Sequence, residues 1–235
     1  MIKSVVKNIV FKPLLFLFFT AHPRIIITST GRSGSTMVFN AVVDGLIRNK
    51  FGHTYMKLLG SVTRRFVSVY LKNLSEIINS HFIVYKNHEP YFGKYNDLDR
   101  HIYIFIYGDP LDSAMSVDSV VQKKGVNWFY RHQENLCGKG SYEDLYKEDV
   151  LNYENIINSW INATESNILC IDYDDLWKNE NTVSNFVGFD VKFPSKLERE
   201  RKTKRTINID LFTKLKKKKI SLKVQRQSLK THKRT

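Results

Sequence analysis

"IIITSTGRSGSTMVFNAV", residues 25–42, reads as a short strand, a turn of glycines and small hydroxyl residues, and the start of a helix. Three isoleucines in a row, bounded by turn residues, predict a buried strand. From Ser35 to Ile47 the apolar residues Met37, Val38, Ala41, Val42 and Leu46 recur at helical spacing. A Gly/Ser turn between a strand and a helix collects backbone N–H groups in one concavity, and the helix start adds partial positive charge. Gly31 and Gly34 allow backbone geometry and close approach that a side chain would block. Arg32 adds a cation that grips oxyanions in a fork. An ordinary strand-to-helix turn would use Ser33 or Ser35 as N-cap. The whole combination favours an anion, and a phosphate first.

The rest of the chain repeats the alternation. "HFIVYKNHEP" and "HIYIFIYGDP" are apolar runs that stop at turns, and "NILCIDYDDLW" is a strand ending in acids. "LDSAMSVDSVVQKK", "YENIINSWINAT" and "TVSNFVGF" have helical spacing, and residues 56–79 read as a further, mixed helical stretch. Nearly continuous apolar strands alternating with helices predict an α/β fold, a three-layer sandwich around a central parallel sheet. Ligands of such sheets bind at the carboxyl ends of the strands, which places the turns after Ile27, Tyr85 and Tyr107 on one rim.

Charge is unevenly spread. Residues 201–235 hold 14 of the 37 Lys/Arg and one of the 23 acids, so the remainder of the chain is nearly neutral. We divide the chain into an apolar and basic segment (1–23), a globular domain (24–200) and a basic tail (201–235). The tail reads as a solvated, partly helical end able to touch anionic surfaces. It lacks aromatic–basic interleaving, and no specific nucleic acid is expected. The apolar run 13–21 is far shorter than the ~20 residues of a spanning helix. It predicts a segment packed on the body or lying at a membrane surface. Two cysteines, Cys137 and Cys170, form no disulfide framework or metal spacing, so a reducing, cytoplasmic setting is the expectation.

A nucleotide-hydrolysing loop has G-x-x-x-x-G-K-[ST]. Here Gly31 and Gly34 lie too close together, and Ser35 stands where lysine should be. Arg32-Ser33-Gly34-Ser35-Thr36 instead resembles the [KR]-S-G-[ST]-[ST] element of the sulfotransferase family. That element binds the 5′-phosphosulfate of 3′-phosphoadenosine 5′-phosphosulfate (PAPS). Lys86, Asn87 and His88 resemble the family's K-T-H-x-P, with asparagine in place of threonine. Asp109, Pro110 and Ser116 fall where the family grips the 3′-phosphate, but Gly108 replaces its arginine. Lys123, Lys124, Arg131 or the group Arg201, Lys202, Lys204 and Arg205 could substitute. Tyr173-Asp174-Asp175-Leu176, with Trp160 upstream, resembles a structural Y-E-D-L element. The resemblance covers about residues 24–190 and rests on the order of these motifs.

It implies a P-loop-like sulfotransferase fold and transfer of a sulfuryl group from PAPS to a hydroxyl, on a glycan rather than a small phenol, leaving 3′,5′-ADP. His88 would be the base, because imidazole titrates near neutral pH. Arg32 and Lys86 would stabilise developing charge. The 32–36 loop would hold the 5′ end of the donor and Ser116 its 3′-phosphate. Trp128, Arg131 and His132, in a polar, aromatic stretch (125–146), would contact the acceptor, or else pack on the core. In-line transfer between positioned partners needs no metal. The rival readings are a P-loop phosphotransferase with Asp109 or Asp172 on magnesium, and a non-catalytic binding protein on the same fold.

Overall fold

The structure is a computed structural model. It describes residues 22–71, 77, 82–91, 101–163, 165–196 and 206–232, apart from the side chains of residue 161 and of 221–232. The "RIIITS" run forms strand β1 (Arg24–Ser29), at the centre of a sheet of five parallel strands. On one side of it lie β3 (Val84–Lys86) and then β2 (Ser68–Tyr70); on the other lie β4 (His101–Tyr107) and then β5 (Ile168–Asp172). The chain therefore leaves β1 at the point where the strand order reverses direction, and a crevice opens there at the carboxyl ends.

Among the described residues, six α-helices connect and cover the strands: α1 (Ser35–Val67), α2 (Pro110–Lys124), α3 (Val126–Asn135), α4 (Tyr153–Ile161), α5 (Glu180–Val187) and α6 (Ile209–His232). Alternate strand residues face opposite layers. Ile25, Ile27, Val84, Ile104 and Ile106 pack with Val38, Val42 and Leu46 of α1 and Val183 of α5. Ile26, Tyr85, Tyr103 and Phe105 pack with Val117 of α2, Phe129 of α3, Trp160 of α4 and Phe212 of α6. Trp160 is fully buried and stacks on Phe105 with ring centroids 4.7 Å apart. Both faces are thus covered, which is why the strands read as continuous apolar runs.

Two features differ from the sequence expectation. Helix α1 does not end near Ile47; it runs to Val67 through a break at Gly52 (φ 82°, ψ 172°), a conformation glycine adopts freely. The stretch read as helical to residue 79 then becomes strand β2 at Ser68, and residues 72–76 and 78–81 lie outside the described residues. Three residues are too few for a strand periodicity to show. The beginning of the basic tail is not simply solvated either. Phe212 and Leu215 are buried in the core, and Lys219 is only 8% exposed. The apolar run 13–21 lies outside the described residues. Among those described, no helix is long and apolar enough to cross a membrane.

Candidate functional site

The turn after β1 is built from left-handed residues. Gly31 (φ 78°), Arg32 (φ 53°) and Gly34 (φ 81°) all occupy that region, which turns the chain sharply from strand to helix. The helix N-cap is Gly34 rather than a serine, with no side-chain cap. The first N–H groups of α1 are therefore not claimed by a capping side chain, and no acid stands in its first turn. Ser33 points inward: its hydroxyl donates to the Ile106 carbonyl at 3.0 Å, and it does not line the cavity above the turn. Of the predicted loop contacts, Arg32, Gly34, Ser35 and Thr36 do line that cavity.

Strand β3 ends beside the turn and delivers the "KNH" residues. Lys86 is buried, donates to the Thr36 hydroxyl at 2.9 Å and lies 4.9 Å from the Tyr70 ring centroid. The ammonium group thus meets a hydroxyl and an aromatic face, both neutral. Burial, and then the nearby Arg32, lower its pKa to about 8. His88 is partly buried, with Nδ1 3.0 Å from the Ser29 hydroxyl and 3.3 Å from the Ser29 carbonyl. Burial, then the charge of Lys86, lower its pKa to about 3, so the imidazole is neutral at physiological pH. Asn87 is buried, and its Oδ1 has no hydrogen-bond partner.

Helices α2 and α3 supply the third wall. Arg32 Nε donates to the Ser116 hydroxyl at 3.0 Å, so Ser116 sits within reach of the turn. Arg32 also lies 5.9 Å from the Trp128 ring centroid, and His132 stacks on Trp128 with ring centroids 4.8 Å apart. His132 reaches within 6.1 Å of His88, centroid to centroid. Its pKa is lowered to about 4 by burial, then by Arg32 and Lys86. Trp128, Arg131 and His132 all line the cavity, with Arg131 exposed at its mouth.

These three walls enclose a cavity of about 820 Å³. Its chemistry is that of an anion site: Arg32 and Lys86 converge on one strand-to-helix turn beside two neutral imidazoles. The closing wall went unrecognised in the sequence. Tyr173 and Trp177 line the cavity, and the Tyr173 ring packs so closely on Gly34 that an added Cβ there would meet it at 2.5 Å. The sequence puts Tyr173 in a structural element, yet it directly follows β5 at its carboxyl end. The rule that identified the other turns would have found it.

Gly108 lies at the same rim. A Cβ built on it would meet Ser33 Cβ at 3.1 Å, and its carbonyl accepts from the Tyr153 hydroxyl. Of the cations considered as substitutes for an arginine there, Arg131 lines the cavity, Lys123 and Lys124 do not, and 201–205 fall outside the described residues. The two acids considered for magnesium are engaged elsewhere. Asp109 caps α2 through Leu111 N and Asp112 N, and Asp172 pairs with Lys219 at 3.1 Å. No family model and no curated protein matches the chain.

Proposed function

We propose that the protein is a sulfotransferase of P-loop-like fold that moves a sulfuryl group from PAPS to a hydroxyl acceptor, with a glycan as the acceptor class. The observation that carries the reading is the convergence of Arg32, Lys86 and His88 on one left-handed turn. Its residues fit an anionic donor. Lys86 is buried against neutral partners at a pKa of about 8, a state that an incoming anion relieves. The first turn of α1 offers N–H groups without a side-chain cap.

The donor brings a sulfuryl group activated as a mixed anhydride; positioning and charge are left to the protein. Arg32, Lys86 and the N–H groups of residues 34–36 hold the 5′ anionic end and offset charge that grows there. Ser116, with Arg32 beside it, serves a second phosphate. Tyr173 and Trp177 offer ring faces to a purine. Neutral His88 takes the proton from the acceptor hydroxyl as the oxygen attacks. Trp128 gives an apolar platform and Arg131 a polar contact at the mouth, a pairing suited to a hydroxylated ring. The engaged state of Asp109 and Asp172 weighs against the magnesium phosphotransferase.

The test is His88→Ala. Turnover with PAPS should fall by about 10²- to 10⁴-fold, the usual worth of a general base, while 3′,5′-ADP binding stays nearly intact. Equal loss of turnover and binding would remove His88 from the base role. Stronger thermal stabilisation by ATP with magnesium than by 3′,5′-ADP would favour the phosphotransferase.

A further inference from the structure

A base must present a lone pair, and a neutral imidazole has two tautomers, only one of which presents it from a given nitrogen. At His88 the surroundings of Nδ1 discriminate between them. The Ser29 carbonyl, 3.3 Å away, can only accept a hydrogen bond. The Ser29 hydroxyl lies 3.0 Å from the same nitrogen. That hydroxyl oxygen already accepts the Gly31 N–H at 3.2 Å, which fixes its position. A proton on Nδ1 therefore meets two oxygens of one residue. A lone pair on Nδ1 could accept from the hydroxyl but would face the lone pairs of the carbonyl, which no rotation of the hydroxyl relieves.

We propose that Ser29 is a positioning residue that holds His88 as the Nδ1–H tautomer and leaves the Nε2 lone pair to act on the acceptor hydroxyl. Ser29 is the last residue of β1 and is fully buried, so its two oxygens are held by the central strand rather than by a loop. Through the Gly31 N–H, the same hydroxyl joins the histidine to the anion-binding turn. The turn and the base are thus registered to each other by one side chain. Orientation of an imidazole through its second nitrogen is a general device for fixing which nitrogen reacts. The inference rests on the reading of His88 as base, but its first test does not depend on turnover.

The experiment is two-bond ¹H–¹⁵N correlation NMR of the imidazoles at neutral pH, with the His88 signals assigned by their loss in His88→Gln. Wild type and Ser29→Thr should show the Nδ1–H pattern. Ser29→Cys, close in size but a weak acceptor, keeps the carbonyl and loses the hydroxyl half of the tether, so it should hold the ring less firmly and show a smaller share of the Nδ1–H tautomer. Its kcat for PAPS-dependent transfer should fall by about 10- to 100-fold, part of the 10²–10⁴ a general base contributes, with KM for the donor little changed. Ser29→Thr should retain turnover. An Nε2–H pattern in the wild type overturns the inference, even if Ser29→Cys fails to fold. So does a Ser29→Cys variant in which both the tautomer and kcat are unchanged, because the hydroxyl would then position nothing. An Nδ1–H wild type with no turnover on any hydroxylated acceptor supports the tether and counts instead against sulfuryl transfer.

Discussion

Lys86, His88 and His132 are each driven toward their neutral forms by the same causes, burial and the mutual repulsion of a cation-rich site. The consequence for stability has a definite sign. Both histidines have folded pKa values, about 3 and about 4, below the ordinary 6.5. As pH falls through 6.5 the unfolded chain takes up protons first, so the fold loses about 1.4 kcal/mol per pH unit for each histidine until its own pKa is reached. Denaturant melts from pH 7 to 4.5 should show this loss, and His88→Gln should reduce it. Lys86 behaves in the complementary window. It loses its proton as pH rises through about 8, so affinity for an anion should fall above that pH, and Lys86→Met should flatten the dependence.

At the scale of the element, the strand–turn–helix at 24–47 was legible because each part carries a strong local signal: β-branched run, glycines, helical spacing. The turns after Ile27, Tyr85 and Tyr107 were placed on one rim by a general property of parallel sheets, and the cavity lined by Arg32, Lys86, His88, Ser116 and Trp128 follows from it. Other parts were not legible. Strand β2 is defined by pairing with β3, not by its own three residues. The inward turn of Ser33 depends on the Ile106 carbonyl, a neighbour distant in sequence. Nothing local to the sequence marks Ser29, because the His88 ring it meets is 59 residues away. The turn itself should tolerate little change. Gly34→Ala combines a left-handed φ of 81° with a Cβ 2.5 Å from the Tyr173 ring. It should lower stability by about 1–3 kcal/mol in thermal denaturation and weaken anion binding more than that loss alone explains.

For the whole molecule, the uneven charge of the sequence takes on a structural meaning. The basic helix α6 is ion-paired to the acids that end β4 and β5. Lys216 approaches Asp109 at 3.5 Å, and Lys219 lies between Asp172 at 3.1 Å and Asp174 at 3.3 Å. Lys214 adds a bond to Glu154 of α4 at 2.8 Å. These pairs offset carboxylates that would otherwise repel an anion from the neighbouring turn. Sequence alone did not show this, because counting charge along the chain says nothing of which acids face the helix. Lys219→Met keeps the apolar stem but leaves Asp172 buried without that partner. It should cost on the order of 3 kcal/mol, read as a lower denaturation midpoint, whereas Lys217→Met on the exposed side should change little.

Sulfuryl transfer at this site requires the turn at 31–36 to be an anion cradle served by Arg32, with His88 beside it as base. Isothermal titration of 3′,5′-ADP into the wild type, Arg32→Ala and His88→Ala tests that most directly. Saturable binding should be seen in the wild type, be lost or weakened at least about 10-fold in Arg32→Ala, equivalent to about 1.4 kcal/mol, and survive in His88→Ala. Absence of binding in the wild type, or equal binding by all three proteins, would contradict it.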